Sequence, residues 1–306
     1  MEYQILQKPN RFQEDYMREI IVSTETNTDL PEAFLKENNI LVIPHYYNVE
    51  DDIYGADGNT LTIRQFYDAM REGKKVGTAA SNPAVILEKF RATAEAGKDI
   101  LHISFSSQLS SGCQNVINGA SEIMEDYPDC KIRVVDTLSA SLGEGIIIQY
   151  CLNQIKDGKD IDTIAVEAEE LSKNLCVLFT VDNLEYLYRG GRLSKTSAVL
   201  GTVINLKPIL HVNDEGKLVP KAKVRGKKKA LATMVENMKT NIGSFRDKQI
   251  FIGIIHGDCE EDAMLLKNMI QKEFDYDDFR IYPIGPSIGA HSGPGTLGLV
   301  YLGENR

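Results

Sequence analysis

Cysteine is scarce in this 306-residue chain, with five copies at Cys113, Cys130, Cys151, Cys176 and Cys259. They are odd in number and scattered, and no C-x-x-C pair occurs among them. That argues against a disulfide framework and against the paired ligand spacings of a zinc site, and it reads as reduced, mostly buried thiols. Positive charge is also short: 34 Lys and Arg stand against 44 Asp and Glu, a formal net charge of −10. A broad basic surface is therefore absent, which opposes non-specific nucleic-acid binding. No apolar run approaches the ~20 residues of a membrane span, so no stable membrane insertion is expected. The opening stretch MEYQILQKPNRFQEDYMRE has no apolar core of the kind a signal peptide needs, and the expected location is cytoplasmic. There is no G-x-x-x-x-G-K-[ST] phosphate loop, no internal repeat and no low-complexity tract.

Apolar residues make up 42% and charged residues 25% of the chain, the proportions of a soluble globular protein. The length suggests two domains, since single cores rarely grow beyond ~250 residues. Strands are expected at 19–23, 39–49, 99–105 and 131–136, alternating with helices over LPEAFLKEN, 61–72, 83–96, 110–124 and 139–156. Such alternation predicts a mostly parallel sheet flanked by helices. A polar helix at 161–173 leads to a strand at 174–181, and the domain change is expected there, giving domains 1–170 and 171–306. In the second, LKPILHVND and KLVPKAKV read as a hairpin about the turn NDEG. Helices at 227–242 and 259–273, with strands at 249–255, 279–284 and 296–302, complete a smaller α/β domain with a mixed sheet. The expected fold class is α/β in two domains with a ligand cleft between them.

Two well-known patterns fall inside IGPSIGAHSGPGTLGLVYLG, residues 284–303. The first, Gly285 to Gly289, fits the serine-hydrolase elbow G-x-S-x-G. Its Ser287 is only four residues from His291, and only Glu304 follows as an acid, so a triad is awkward. The second, Gly293 to Gly298, fits the dinucleotide fingerprint, but only eight residues follow Gly298 and they read as a strand. A binding loop remains, in which glycines such as Gly293 let the backbone approach a ligand and His291 presents its ring.

Three further loops follow strands, or precede helices, where ligands sit in α/β sheets. SSQLSSGCQN clusters Ser106, Ser107, Ser110 and Ser111 before a helix, and Ser110 or Ser111 would cap it. DTLSASLGEG repeats the hydroxyl and glycine pattern, and Asp136 there reads as a base or, more often at a strand end, as a cap. VGTAASNPAV places Thr78, Ser81 and Asn82 before Pro83, the expected first residue of a helix. Together they point to one anionic small-molecule headgroup held by hydroxyls and amides, without metal or other cofactor. His102 and His256 lie in apolar strands and read as core residues. Two basic stretches remain, YLYRGGRLSK with Arg189, Arg192 and Lys195, followed by the expected helix SKTSAVLGTVIN, and KAKVRGKKKA with Arg225. Either a solvated helix start or a docking site for acidic protein or phosphate accounts for the second.

The runs ISFSSQLSSGCQNVINGA, VVDTLSASLGEG, TVDNLEYLYRGGRLSK, LGTVINLKPIL, KVRGKKKA and GAHSGPGTLGLVYLG resemble the DegV family of bacterial fatty-acid-binding proteins, over about residues 19–303. The resemblance implies a long-chain fatty acid in an interdomain tunnel, its carboxylate held by Thr78, Ser110 and His291. It also implies presentation of that carboxylate to a separate ATP-binding kinase subunit, which makes an acyl-phosphate; the carrier itself is then no enzyme. Arg192 matches the arginine linked to kinase or phosphate contact, and Arg225 joins it. Ser106, Ser107, Asn82 and Gly293 complete the expected headgroup site. The sequence departs from the family at Thr78-Ala79-Ala80-Ser81-Asn82-Pro83, where Thr-Ser-Gln-Pro-Ser is usual, and at VSTETNTDLP, which has no Asp directly after the first strand. The departures leave open a different carboxylic ligand and a protein with no kinase partner.

Overall fold

The structure is a computed structural model and describes residues 18–55, 59–194 and 206–306. The part of the expected helix SKTSAVLGTVIN from residue 195 to 205 lies outside the described residues.

The first sheet is parallel throughout, in the order β2-β1-β6-β7, from β1 (Ile20–Glu25), β2 (Leu41–Ile43), β6 (Asp99–Ser104) and β7 (Ile132–Asp136). Parallel strands need crossover helices, which bury both sheet faces, so β6 is buried at all six positions. The crossovers are α1 (Glu32–Glu37), α3 (Pro83–Glu95) and α4 (Gly112–Asp126). Pro83 is the first residue of α3 and the Asn82 side chain accepts from Ala84 N–H, a capped start of the kind the sequence suggests.

The expected strand 39–49 is two strands. It breaks at Pro44–His45, and β3 (Tyr46–Val49) joins a separate antiparallel sheet, β4-β3-β5, with β4 (Asp52–Tyr54) and β5 (Val76–Ala79). Thr78, expected in a loop, therefore sits on β5 opposite Tyr47. Helix α2 (Ile63–Arg71) covers this sheet and opens with a reciprocal Thr62–Gln65 capping box.

The second large sheet is mixed, in the order β10-β9-β8-β13-β11-β12. It comprises β8 (Leu175–Thr180), the hairpin β9 (Leu206–Val212) and β10 (Leu218–Arg225), then β11 (Ile252–His256), β12 (Phe279–Pro283) and β13 (Leu297–Leu302). Helices α8 (Lys227–Asn241) and α9 (Glu260–Gln271) cover its outer face through Leu231, Met234, Met238 and Leu266.

Between the two sheets lies α5 (Leu142–Lys156), with α6 (Ile161–Ser172) beside it. Its first seven residues, LGEGIII, are all buried, as a helix with a partner on every side requires. One apolar core runs from Val22, Leu101 and Val135 through Ile146 and Ile147 to Val177 and Val300. Among the described residues every cysteine is free, and four of the five are buried. No helix among them is long and apolar enough to cross a membrane.

The glycine-rich C-terminal stretch is no simple loop. Residues Pro286–Ser292 form a short helix, α10, started by Pro286 and ended by Gly293 at φ 81°. It packs away from its own sheet, onto α2, β3, β5 and the short helix α7 (Glu185–Arg189).

Candidate functional site

A cavity opens beyond the N-terminus of α5, between the two large sheets. The empty space between its walls is about 780 Å3, solvent at its mouth included, and about 90 Å3 of it can take the centre of a water molecule. Most of the wall is apolar: Phe105 and Leu109 face Val177 and Phe179 of β8, Val212 of β9, Leu218 of β10 and Ile255 of β11.

Part of the polar wall is a run of neighbouring groups, Thr78, His291, Arg192, Ser110 and His45. Thr78 Oγ1 and His291 Nε2 stand 2.7 Å apart, joining β5 to α10. The His291 ring lies against Gly190, where a Cβ would stand 2.2 Å from Nδ1. Arg192 Nη1 donates to Gly190 O at 2.5 Å, and Arg192 Nε donates to Leu109 O at 3.0 Å. Next in the chain, Ser110 Oγ accepts from the N–H of Gly112, the first residue of α4, at 3.1 Å and keeps its own hydroxyl hydrogen to donate, while the N-cap residue Ser111 makes no side-chain capping bond. A Cβ on Gly112 would lie 3.1 Å from His45 Nε2 and 3.4 Å from Glu25 Oε1. Glycine at the start of α4 thus lets these groups crowd together.

Burial, and then the Arg192 charge, pull the His291 pKa down from 6.5 to about 4. Burial also lowers the pKa of His45. The folded state opposes protonation of His291, so its contribution to stability is intact above pH 6.5 and is lost as pH falls towards 4. Both rings are neutral at pH 7, each with one N–H and one acceptor nitrogen. Three buried polar atoms of the wall have no hydrogen-bond partner among the described residues: His45 Nε2, Asn27 Oδ1 and Ser292 Oγ. Unpaired buried polar atoms are costly, and all three belong to residues that line the cavity. No group of three or more His, Cys, Asp or Glu among the described residues could hold a metal ion.

Of the sequence-derived set, Thr78, Ser110, His291 and Arg192 line the cavity. Ser106, Ser107, Asn82, Gly293 and Arg225 are not among its wall residues. Ser106 is buried and donates to Gly216 O, Ser107 is exposed, and Asn82 is occupied in capping α3. Gly293 packs against Tyr186, and Arg225 is exposed at the end of β10. Asp136 caps its own turn by accepting from Leu138 N–H at 2.9 Å. Ser141, a hydroxyl of the DTLSASLGEG loop, belongs to the wall, and so do His45, Asn27 and Ser292, which the sequence does not single out. His45 follows directly on Pro44, which ends a strand run, and that is the local signal that could have drawn attention to it.

The hydrolase arrangement does not assemble. Ser287 and His291 share α10, the His291 Nε2 is taken by Thr78, and Glu304 is occupied with Ser244 N–H.

The crowding at Gly190 yields an expected result. Gly190→Ala should push the imidazole out of its place, because the obstacle is a rigid ring rather than the end of a flexible chain. The titration of His291, followed by NMR, should then move from about 4 towards 6.5 as the ring meets water. An unchanged titration would mean that the ring had not moved.

Comparison with known proteins agrees with this architecture. A family model described as "Uncharacterised protein, DegV family" matches residues 19–304. A DegV domain-containing protein of Clostridium perfringens is 37% identical over 291 residues, which is 95% of this chain and 99% of that one. A Thermus thermophilus DegV family protein, reported for fatty acid binding, superposes with a TM-score of 0.83 at 27% identity, covering 94% of this chain and all of that one. A fatty acid binding DegV family protein of Streptococcus agalactiae gives a TM-score of 0.82 at 27% identity, with the same coverage. With the family model matched over residues 19–304 and the fold shared with these proteins, the chain belongs to the DegV family.

Proposed function

We propose that this protein is a carrier for a long-chain fatty acid. The observation that carries the reading is a cavity with an apolar wall and a run of neighbouring polar groups, in which buried polar atoms stand unpaired. That combination suits an amphiphile with a long apolar tail and a small polar head. The chain divides near residue 170 into two halves under this reading, and the acyl tail runs between them.

The head is a carboxylate, held by neutral donors. With its hydrogen on Nε2, His291 donates to Thr78 Oγ1, and the Thr78 hydroxyl hydrogen is then free to point at the ligand. The Ser110 hydroxyl, with its oxygen already engaged by Gly112 N–H, donates in the same way. Neutral donors hold an anion less tightly than a bidentate arginine, so the carboxylate remains available for reaction.

Its partner is a separate ATP-binding kinase subunit. A carboxylate oxygen attacks the γ-phosphorus of ATP, the bond to the bridging oxygen breaks, and ADP leaves with that oxygen's electrons. The product is an acyl-phosphate that stays in the carrier. Arg192 lines both the cavity and the surface cleft beside Lys75 and Arg189, and under this reading it meets the new phosphate, with Arg225 contributing to the docking face. The carrier performs no chemistry alone.

Mass spectrometry of a solvent extract from the folded protein tests the reading. About one fatty acid per chain is expected. Protein that stays empty even after incubation with C16 and C18 acids would remove the carrier reading. A loaded protein that yields no acyl-phosphate with kinase subunit and ATP would remove only the kinase step.

A further inference from the structure

Helix α10 is seven residues long, too short to hold its own orientation. Its backbone start is gripped instead by a distant carboxylate: Gly285 N–H donates to Asp29 Oδ1 at 2.7 Å. The other oxygen, Asp29 Oδ2, accepts a short hydrogen bond from Ser141 Oγ. Asp29 lies just after the turn Thr26–Thr28 that follows β1, and Ser141 precedes α5. One side chain therefore ties together three segments, at the end of β1, the start of α5 and the start of α10. All three carry cavity wall: Asn27 on the first, Ala140 and Ser141 on the second, and Ser287, Ile288, His291 and Ser292 on the third. Asp29 itself is not in the wall.

The backbone at this junction is held in an unusual state. Asp29 has φ 56° and ψ 16°, and Ser141 has φ 58° and ψ −130°. Neither is a glycine, and both lie in sparsely populated regions that persist only when surrounding contacts impose them. Tyr67 supports the same point by donating its hydroxyl to Ile284 O at 3.1 Å. The geometry points to Asp29 as the positioning residue of the site: through Gly285 it fixes α10 so that His291 meets Thr78, 213 residues away in sequence.

The inference rests on the proposed headgroup role of His291, which orients the Thr78 hydroxyl towards the carboxylate, and a double-mutant cycle of fatty-acid affinity separates the two. Asp29→Ala is expected to weaken binding about tenfold, comparable to losing one hydrogen bond to a charged group. Asp29→Asn keeps a carbonyl oxygen for Gly285 N–H and turns an N–H to Ser141 Oγ, and should stay within about twofold of the native protein. In a His291→Ala background, Asp29→Ala should add less than about twofold, since its effect passes through the missing ring. Fully additive losses would overturn the inference. If His291→Ala leaves affinity unchanged, the headgroup role of His291 fails, and Asp29 is judged on the ligand-free protein. There the His291 titration, near 4 in the native protein, should move towards 6.5 in Asp29→Ala and stay in Asp29→Asn. An unmoved titration in Asp29→Ala overturns the positioning role independently. Should the alanine variant not fold, Asp29→Glu replaces it, with the same readouts.

Discussion

Octanoate is expected to bind about ten-thousand-fold more weakly than palmitate. The two share a carboxylate and differ by eight methylenes. At about 0.8 kcal/mol per buried methylene this is a difference of about 6 kcal/mol, or about four decades in affinity. The apolar wall provided by Phe105, Leu109, Val177, Phe179 and Ile255 is the part of the protein that should read this difference. Thr78, Ser110 and His291 should contribute equally to both ligands. Competition against a fluorescent long-chain probe would measure the series directly. A flat series, with octanoate equal to palmitate, would mean that the cavity recognises the carboxylate alone and that a smaller carboxylic ligand is the natural one.

Glu25→Ala should destabilise the protein by about 3 kcal/mol. Glu25 is completely buried at the end of β1. Its carboxylate accepts from Ser104 Oγ at 3.0 Å and from Phe105 N–H at 3.2 Å, and His102 Nε2 lies 3.5 Å away. Removing it leaves these groups unpaired in the interior, which is the costly way to break a buried polar set. Burial raises the Glu25 pKa, but the His102 and His45 rings and the Phe105 N–H outweigh it, and the carboxyl is held below its usual value. Its stabilisation is therefore present above the ordinary carboxylate pKa and is lost as pH falls through the lowered folded value. Urea unfolding of the native and Glu25→Ala proteins at pH 7 and at pH 4 would show both effects. A difference under about 1 kcal/mol at pH 7 would mean that the group makes no net contribution.

His102 shows how far single-element reasoning reaches. An apolar strand with one histidine reads as core, and His102 is indeed fully buried, with Nδ1 3.0 Å from Ser23 Oγ. The same reasoning fails at 39–49, where two apolar stretches separated by Pro44 and His45 belong to two different sheets. Hydrophobic pattern records that each half is buried and does not record against which neighbour. Ser106 and Asn82 were drawn into the headgroup site for their hydroxyl and amide chemistry, yet each is already satisfied by local or cross-loop backbone bonds. His45 went unassigned because nothing near it in sequence reveals Ser110 or Gly112.

By itself the sequence determined the α/β class, since alternating strand and helix periods admit little else. It also carried the family, through runs spread over nearly the whole chain. Tertiary structure alone decided that α10 leaves its own sheet and packs on β3, β5 and α2. That return brings His291 to Thr78 and Gly285 to Asp29, pairs separated by 213 and 256 residues. Local pattern fixes which face of a segment is buried, while the partner across that face is chosen by the closure of the whole chain.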